Sequence, residues 1–177
     1  IQLASLCIEN EIQYSASVWD KSVLKWIDPY IQIYKIGSGD LTAYPLLEFI
    51  SSQGKPLILS TGLSTLEEIQ NTVSFLVKQN LIYKNPTHLA ILQCTSLYPN
   101  KYKNVNLNVI TLFKKHFQYP IGYSDHTLDS TALRVAAVLG AQILEFHFTD
   151  SPKGKAFRDH HISLTKKEVQ KLVKDLK

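Results

Sequence analysis

The chain has 177 residues, 45% hydrophobic and 19% charged, with 19 Lys+Arg against 15 Asp+Glu for a net charge of +4. That is enough apolar material for one buried core, and so small and scattered a basic excess argues against a nucleic-acid partner while suiting an anionic small substrate. Cys7 and Cys94 lie far apart without metal-ligand spacing, no run approaches the ~18 apolar residues of a membrane span, and no basic-then-apolar leader opens the chain, so a cytoplasmic protein without a membrane partner is expected.

Short apolar runs alternate with longer amphipathic stretches. The runs predict strands at 13–18, 31–36, 56–59, 89–93, 120–123 and 143–148, rich in Ile, Leu, Val and aromatics as strands buried on both faces should be. After the third run, Ser64-Thr65-Leu66-Glu67 reads as a capping box from Ser64 to Glu67, followed by Ile69, Val73 and Leu76 at helical spacing. After the fourth, 106–116 carries Leu107, Ile110 and Phe113 on one face. After the fifth, 130–139 is small and apolar enough to pack tightly on a sheet. The tail, 165–176, sets Val169, Leu172 and Val173 against lysines and predicts a solvated outer helix. Strands alternating with helices imply a parallel sheet with right-handed crossovers, either a barrel or a doubly wound sheet. The absence of GxGxxG and of a Walker lysine weakens the nucleotide-binding folds.

Each apolar run ends in polar groups. In order these are Lys35-Ile36-Gly37-Ser38-Gly39-Asp40, Ser60-Thr61-Gly62, Cys94-Thr95-Ser96-Leu97-Tyr98, Ser124-Asp125-His126-Thr127 and Glu145-Phe146-His147-Phe148-Thr149. In a barrel such strand ends converge on one face, where the chemistry of that fold sits. Lys35 with the hydroxyls of Ser38, Ser60, Ser96 and Ser124, and amides beside Gly37, Gly39 and Gly62, would suit a phosphate, each hydrogen bond to the charged group contributing about 1.5–3 kcal/mol. The plainer role for each serine is to cap the helix after it. His126 and His147 end successive strands and, with a carboxylate nearby, suit a divalent metal. His88 and His116 read as structural, and His160 and His161 are open to either reading.

These five motifs, in this order and spacing, resemble the N-acetylneuraminate (sialic acid) synthase family, whose members also make legionaminic and pseudaminic acids. The resemblance runs from about Tyr14 to Leu164. It implies a (β/α)8 TIM barrel that binds phosphoenolpyruvate, a divalent ion expected to be Mn2+, and the open-chain aldehyde of an N-acylated amino sugar. By motif match, Lys35, Ser38, Ser60, Ser96 and Ser124 would hold phosphoenolpyruvate, His126 and His147 would hold the metal, and Asp40, Tyr98 and Asp159 would be the catalytic residues at the sugar. The metal would polarise the aldehyde as a Lewis acid. Attack by the enol-ether carbon, addition of water and loss of phosphate would follow.

Besides Asp40, where members often have Glu, and Ser96, where some have Asn, the chain departs from the family pattern in three segments. Phe146 stands where members carry Lys or Arg, the usual Gly-Pro-Asp stretch is Phe157-Arg158-Asp159-His160-His161, and an early Ser-Thr-Pro-Phe segment is Ala16-Ser17-Val18-Trp19. Arg158 would add a cation at the sugar end. A whole barrel takes eight strands and about 250 residues, so residues 1–177 are expected to form a partial barrel of about six βα units. The resemblance implies two preceding strands and a C-terminal antifreeze-like domain in a homodimeric intact enzyme, and the piece alone is expected to be inactive. Two alternatives stand beside this reading. One is another phosphoenolpyruvate-dependent 3-deoxy sugar acid synthase, which the scarcity of cations for a second phosphate disfavours. The other is a non-catalytic anion-binding barrel module, which has no need of two metal-type histidines.

Overall fold

Residues 2–17 and 19–177 are described by a computed structural model, which divides into two compact units, Ile1–Ala90 and Ile91–Lys177. In the first unit, helix α1 (Gln2–Glu9) leads to α2 (Lys21–Ile27), whose amide at Ser22 donates to the Asp20 carboxylate at 2.7 Å. Strand β1 (Tyr34–Ile36), α3 (Tyr44–Ser52), β2 (Leu57–Ser60) and α4 (Leu66–Gln79) follow. β1 and β2 run parallel, with Lys35 opposite Ile58. Ile31, Tyr34, Leu47, Ile50 and Leu59 are buried completely, and α3 packs on α4.

Three differences from the sequence reading arise here. The expected strand at 31–36 begins only at Tyr34, because Asp28–Tyr30 forms a 3-10 turn with Pro29 in it and the chain is still bending at Gln32 and Ile33. Of the expected strand at 13–18, Ser17 makes an isolated parallel bridge to Lys35, and Val18 lies outside the described residues. The cap of α4 is also one residue later than expected. Thr65, not Ser64, takes the extended cap conformation, its hydroxyl accepting from the Glu68 amide at 3.3 Å while Glu68 accepts from the Thr65 amide at 2.7 Å. The sequence holds two overlapping boxes. Leu63 takes a left-handed backbone (φ 65°) just before them, and the second box is the one that closes.

A polar knot ties the turn before β1 to the loop before β2. The Lys55 ammonium donates to the Asp28 carboxylate (2.8 Å) and to the carbonyls of Asp28 (2.6 Å) and Ile31 (2.9 Å), and the Tyr34 hydroxyl donates to the same carboxylate. Burial would raise the Asp28 carboxyl, but the hydrogen bonds from Lys55 and Tyr34 outweigh it and hold the group below its ordinary value. A depressed carboxyl contributes stability above its unfolded pKa, near ~3.9, and loses it as pH falls through the folded value. Asp28→Asn is therefore expected to destabilise the first unit by about 1–3 kcal/mol at pH 7, with the deficit shrinking towards pH 3. Urea denaturation at the two pH values checks this, and an equal deficit at both would contradict it.

In the second unit, β3 (Leu89–Cys94, begun two residues before the boundary), α5 (Asn108–His116), β4 (Ile121–Ser124), α6 (Thr131–Val138), β5 (Ile143–Glu145), α7 (Asp159–Ile162) and α8 (Lys166–Leu176) alternate in order. β3, β4 and β5 are parallel, with Cys94 opposite Ser124 and Ser124 opposite Glu145. Ile110 of α5, Leu133 and Ala136 of α6, and Leu172 of α8 are buried, and α6 packs on β4, β5 and α8. β5 stops at Glu145, three residues short of the expected run, and an isolated parallel bridge joins Phe148 to Leu164. The chain is thus α/β, with five parallel strands among the described residues. None of the described helices is long and apolar enough to cross a membrane.

Candidate active site

Ser60, Cys94 and Ser124 are not loop residues after their strands. They are the last residues of β2, β3 and β4, so the ladder fixes the side to which each points. In the first unit, the Lys35 ammonium donates to the Ser60 hydroxyl at 2.8 Å, and Ser60 is 2% exposed. The Gly62 amide donates to the Ser38 hydroxyl at 3.0 Å. Asp40 closes the 3-10 turn Ser38–Asp40, its carboxylate 3.7 Å from where a side chain on Gly37 would begin. Lys35, Ser38, Ser60 and the Gly62 amide thus form two hydrogen-bonded pairs at the ends of neighbouring strands. Ser38 and Ser60 do not cap a helix, the plainer role weighed above.

In the second unit, the residues after β3, β4 and β5 come together. His126 is buried, with its Nδ1 2.9 Å from the Thr95 carbonyl. A carbonyl only accepts, so Nδ1 is the donor here, and in the neutral tautomer that this contact selects Nε2 is the nitrogen with the lone pair. The Tyr98 ring stacks on His126 at 4.0 Å between centroids and meets His147 edge-on at 5.7 Å, and the two imidazoles are 5.3 Å apart. His147 Nδ1 lies 3.6 Å from the Asp159 carboxylate. Burial pushes the His147 imidazole below its ordinary value against the pull of Asp159, which favours the neutral ring. Burial likewise raises the Tyr98 hydroxyl and keeps it protonated.

The Asp159 carboxylate has one buried oxygen, Oδ1, without a hydrogen bond, 3.6 Å from Arg158 Nε. The Arg158 guanidinium packs over the Tyr98 ring at 4.6 Å. Ser96 sits in the loop between Thr95, whose hydroxyl donates to the Asn104 carbonyl at 2.9 Å, and the exposed Leu97. His160 contacts the Thr149 hydroxyl and His88 the Thr87 hydroxyl, both local contacts.

Two residues quoted in the motifs but given no role prove central here. The Ser124 hydroxyl donates to the Glu145 carboxylate at 2.8 Å, so this serine is already engaged by an acid. The signal for Glu145 was its place two residues before His147, which puts both on one side of an extended chain. Asp125 is buried and accepts from the Tyr123 hydroxyl (2.9 Å), the Thr127 amide (3.1 Å) and the Thr127 hydroxyl (2.8 Å), pinning the turn that carries His126. Burial raises the Asp125 carboxyl, with the three donors opposing.

Two neighbouring imidazoles, one with its tautomer set by a backbone carbonyl and the other favoured neutral, fit a divalent ion as nitrogen donors. Among the described residues no group of three or more His, Cys, Asp and Glu is gathered ready to hold one, so the remaining positions would fall to water or substrate.

A sequence profile of the NeuB family matches residues 1–177. The chain is 33% identical to the N,N'-diacetyllegionaminic acid synthase of Legionella pneumophila, over 99% of this chain and 49% of that protein. It is 36% identical to the human N-acetylneuraminate-9-phosphate synthase, over 96% of this chain and 46% of that protein. A crystal structure of the N-acetylneuraminic acid (sialic acid) synthetase of Leptospira borgpetersenii in complex with citrate superposes with a TM-score of 0.90 at 31% identity, over 99% of this chain and 60% of that one. The chain thus spans about half the length of the curated relatives it matches.

Proposed function

Because this chain belongs to the NeuB family along its whole length, we propose that the full-length protein condenses phosphoenolpyruvate with an N-acylated amino sugar, giving a nonulosonic acid and phosphate. The observation that carries the reading is the family match over all 177 residues, shared with relatives named for nonulosonic acid synthesis. N-acetylmannosamine or a 2,4-diacetamido hexose is the acceptor, the full protein closes a (β/α)8 barrel, and it works as a cytoplasmic homodimer.

Within the first unit Lys35, Ser38 and Ser60 are assigned to an anionic group of phosphoenolpyruvate, and within the second unit Ser96 and Ser124 are assigned to the same ligand. The Lys35–Ser60 hydrogen bond sets a cation and a hydroxyl side by side, as an anion requires. Tyr98 and Asp159 of the second unit face the acceptor, and Asp40 is the first unit's candidate for that role. The buried Oδ1 of Asp159, which makes no hydrogen bond among the described residues, accepts from a sugar hydroxyl or amide. His126 and His147 hold the divalent ion, Mn2+, which when bound supplies Lewis-acid polarisation of the aldehyde. Carbon 3 of phosphoenolpyruvate bonds to the aldehyde carbon, water adds to carbon 2, and the bond from carbon 2 to the phosphate oxygen breaks. Donors fixed around the departing phosphate stabilise its charge without reorganisation.

The test is phosphate release from phosphoenolpyruvate with and without Mn2+, offered N-acetylmannosamine, its 6-phosphate, 2,4-diacetamido hexoses and arabinose 5-phosphate. Metal-dependent release with an N-acyl sugar is the expected result. Release with arabinose 5-phosphate alone would move the protein to the 3-deoxy sugar acid synthases. Phosphoenolpyruvate binding with no release at all would point to an anion-binding module.

A further inference from the structure

The Tyr98 hydroxyl makes no hydrogen bond among the described residues, so beyond the backbone tether, in which the Asn100 amide donates to the His126 carbonyl at 2.8 Å, ring packing sets where this side chain lies. Three groups do so: the stacked His126, the edge of His147, and the Arg158 guanidinium 4.6 Å from the ring centroid. Arg158 also faces Asp159, its Nε 3.6 Å from Oδ1. A planar guanidinium can lie on an aromatic ring and still aim an edge N–H at a carboxylate, whereas a lysine ammonium must choose. The chain around it is anchored. The segment carrying Arg158 leaves and returns at one parallel bridge, with the Thr149 amide donating to the Leu164 carbonyl (3.0 Å) and the Leu164 amide to the His147 carbonyl (2.8 Å). Arg158 itself immediately precedes α7.

We propose that Arg158 is a positioning residue, a single cation that holds Tyr98 against His126 and orients the Asp159 carboxylate, and so tunes how the protein binds its acceptor. This rests on the preceding reading only in taking Tyr98 and Asp159 to face that acceptor. In the family resemblance Arg158 falls in the segment that usually reads Gly-Pro-Asp, and with Phe146 uncharged it is the cation seen against both groups among the described residues. Its side chain is 70% exposed, so shortening it leaves no cavity, and a change in function is separable from a loss of fold.

The experiment compares wild-type full-length protein with Arg158→Met and Arg158→Lys. The first readout is the NMR shift of the carbon-bound ring protons of His126, displaced by the ring current of the stacked Tyr98. The second is the KM for the acceptor set against that for phosphoenolpyruvate. Arg158→Met is expected to move the His126 protons towards free-imidazole values. It is also expected to raise the acceptor KM about two- to fivefold, the scale of one exposed cation–π contact, while phosphoenolpyruvate KM and thermal midpoint stay put. Arg158→Lys should fall between, keeping charge without the planar fork. Unmoved His126 protons with an unchanged acceptor KM in Arg158→Met would overturn the proposal, as would an equal rise in both KM values. A wild-type protein without turnover, whose His126 protons still respond to Arg158→Met, would support the clamp and remove the synthase reading instead.

Discussion

Replacing His126 with Ala is expected to lower metal-dependent phosphate release by more than about 100-fold, since loss of second-shell partners alone costs a metal site 10–100-fold. The substitution removes the bare Nε2 that the Thr95 hydrogen bond leaves available, and it takes away the stacking partner of Tyr98. Two measurements separate these losses. Mn2+ binding followed by electron paramagnetic resonance reads the ligand directly, and phosphate release reads the turnover. Both should fall together. His88→Ala removes an imidazole that contacts the Thr87 hydroxyl beside it, and should change neither. Retained Mn2+ affinity in His126→Ala would remove the metal assignment, even if the rate fell through disorder of Tyr98.

That His126 and His147 lie side by side was legible in the sequence because each stands near the end of a short apolar run, and parallel strands bring such positions together. The same regularity located β2, β3 and β4 to within a residue. Local rules failed where two answers overlapped or where the partner was distant in sequence. The segment Ser64–Glu68 offers two capping boxes, and the sequence does not say that the Thr65–Glu68 box is the one that closes. α3 begins without a side-chain cap, with Pro45 in its first turn, and so announces itself weakly. Nothing in the sequence around Arg158 indicates that it lies on Tyr98, 60 residues earlier, or that Ser124 meets Glu145 across the β4–β5 register. Such contacts arise from strand pairing and side-chain reach, which periodicity does not encode.

Gly122 is where that pairing is most exposed to a single methyl group. It lies in the middle of β4, and a Cβ there would sit 2.4 Å from Leu92 Cδ2 of β3 and 2.5 Å from the Ile143 carbonyl oxygen of β5. The leucine can turn away. The carbonyl is backbone and cannot move without shifting β5, and a glycine inside a strand often marks such a close approach. Gly122→Ala is therefore expected to destabilise the second unit by about 3 kcal/mol or more, at or beyond the upper end of overpacking costs. Gly39→Ala is the control, since nothing lies within 4 Å of its Cβ position, and it should stay within about 0.5 kcal/mol of wild type. Urea denaturation of both variants checks the pair, and equal midpoints would show that β5 yields freely at Ile143. If Gly122→Ala folds at low temperature, the displaced β5 should also pull Glu145 from Ser124 and His147 from His126. Mn2+ affinity would then fall although no ligand had been touched, because the spacing of the two histidines depends on the absence of a side chain at Gly122.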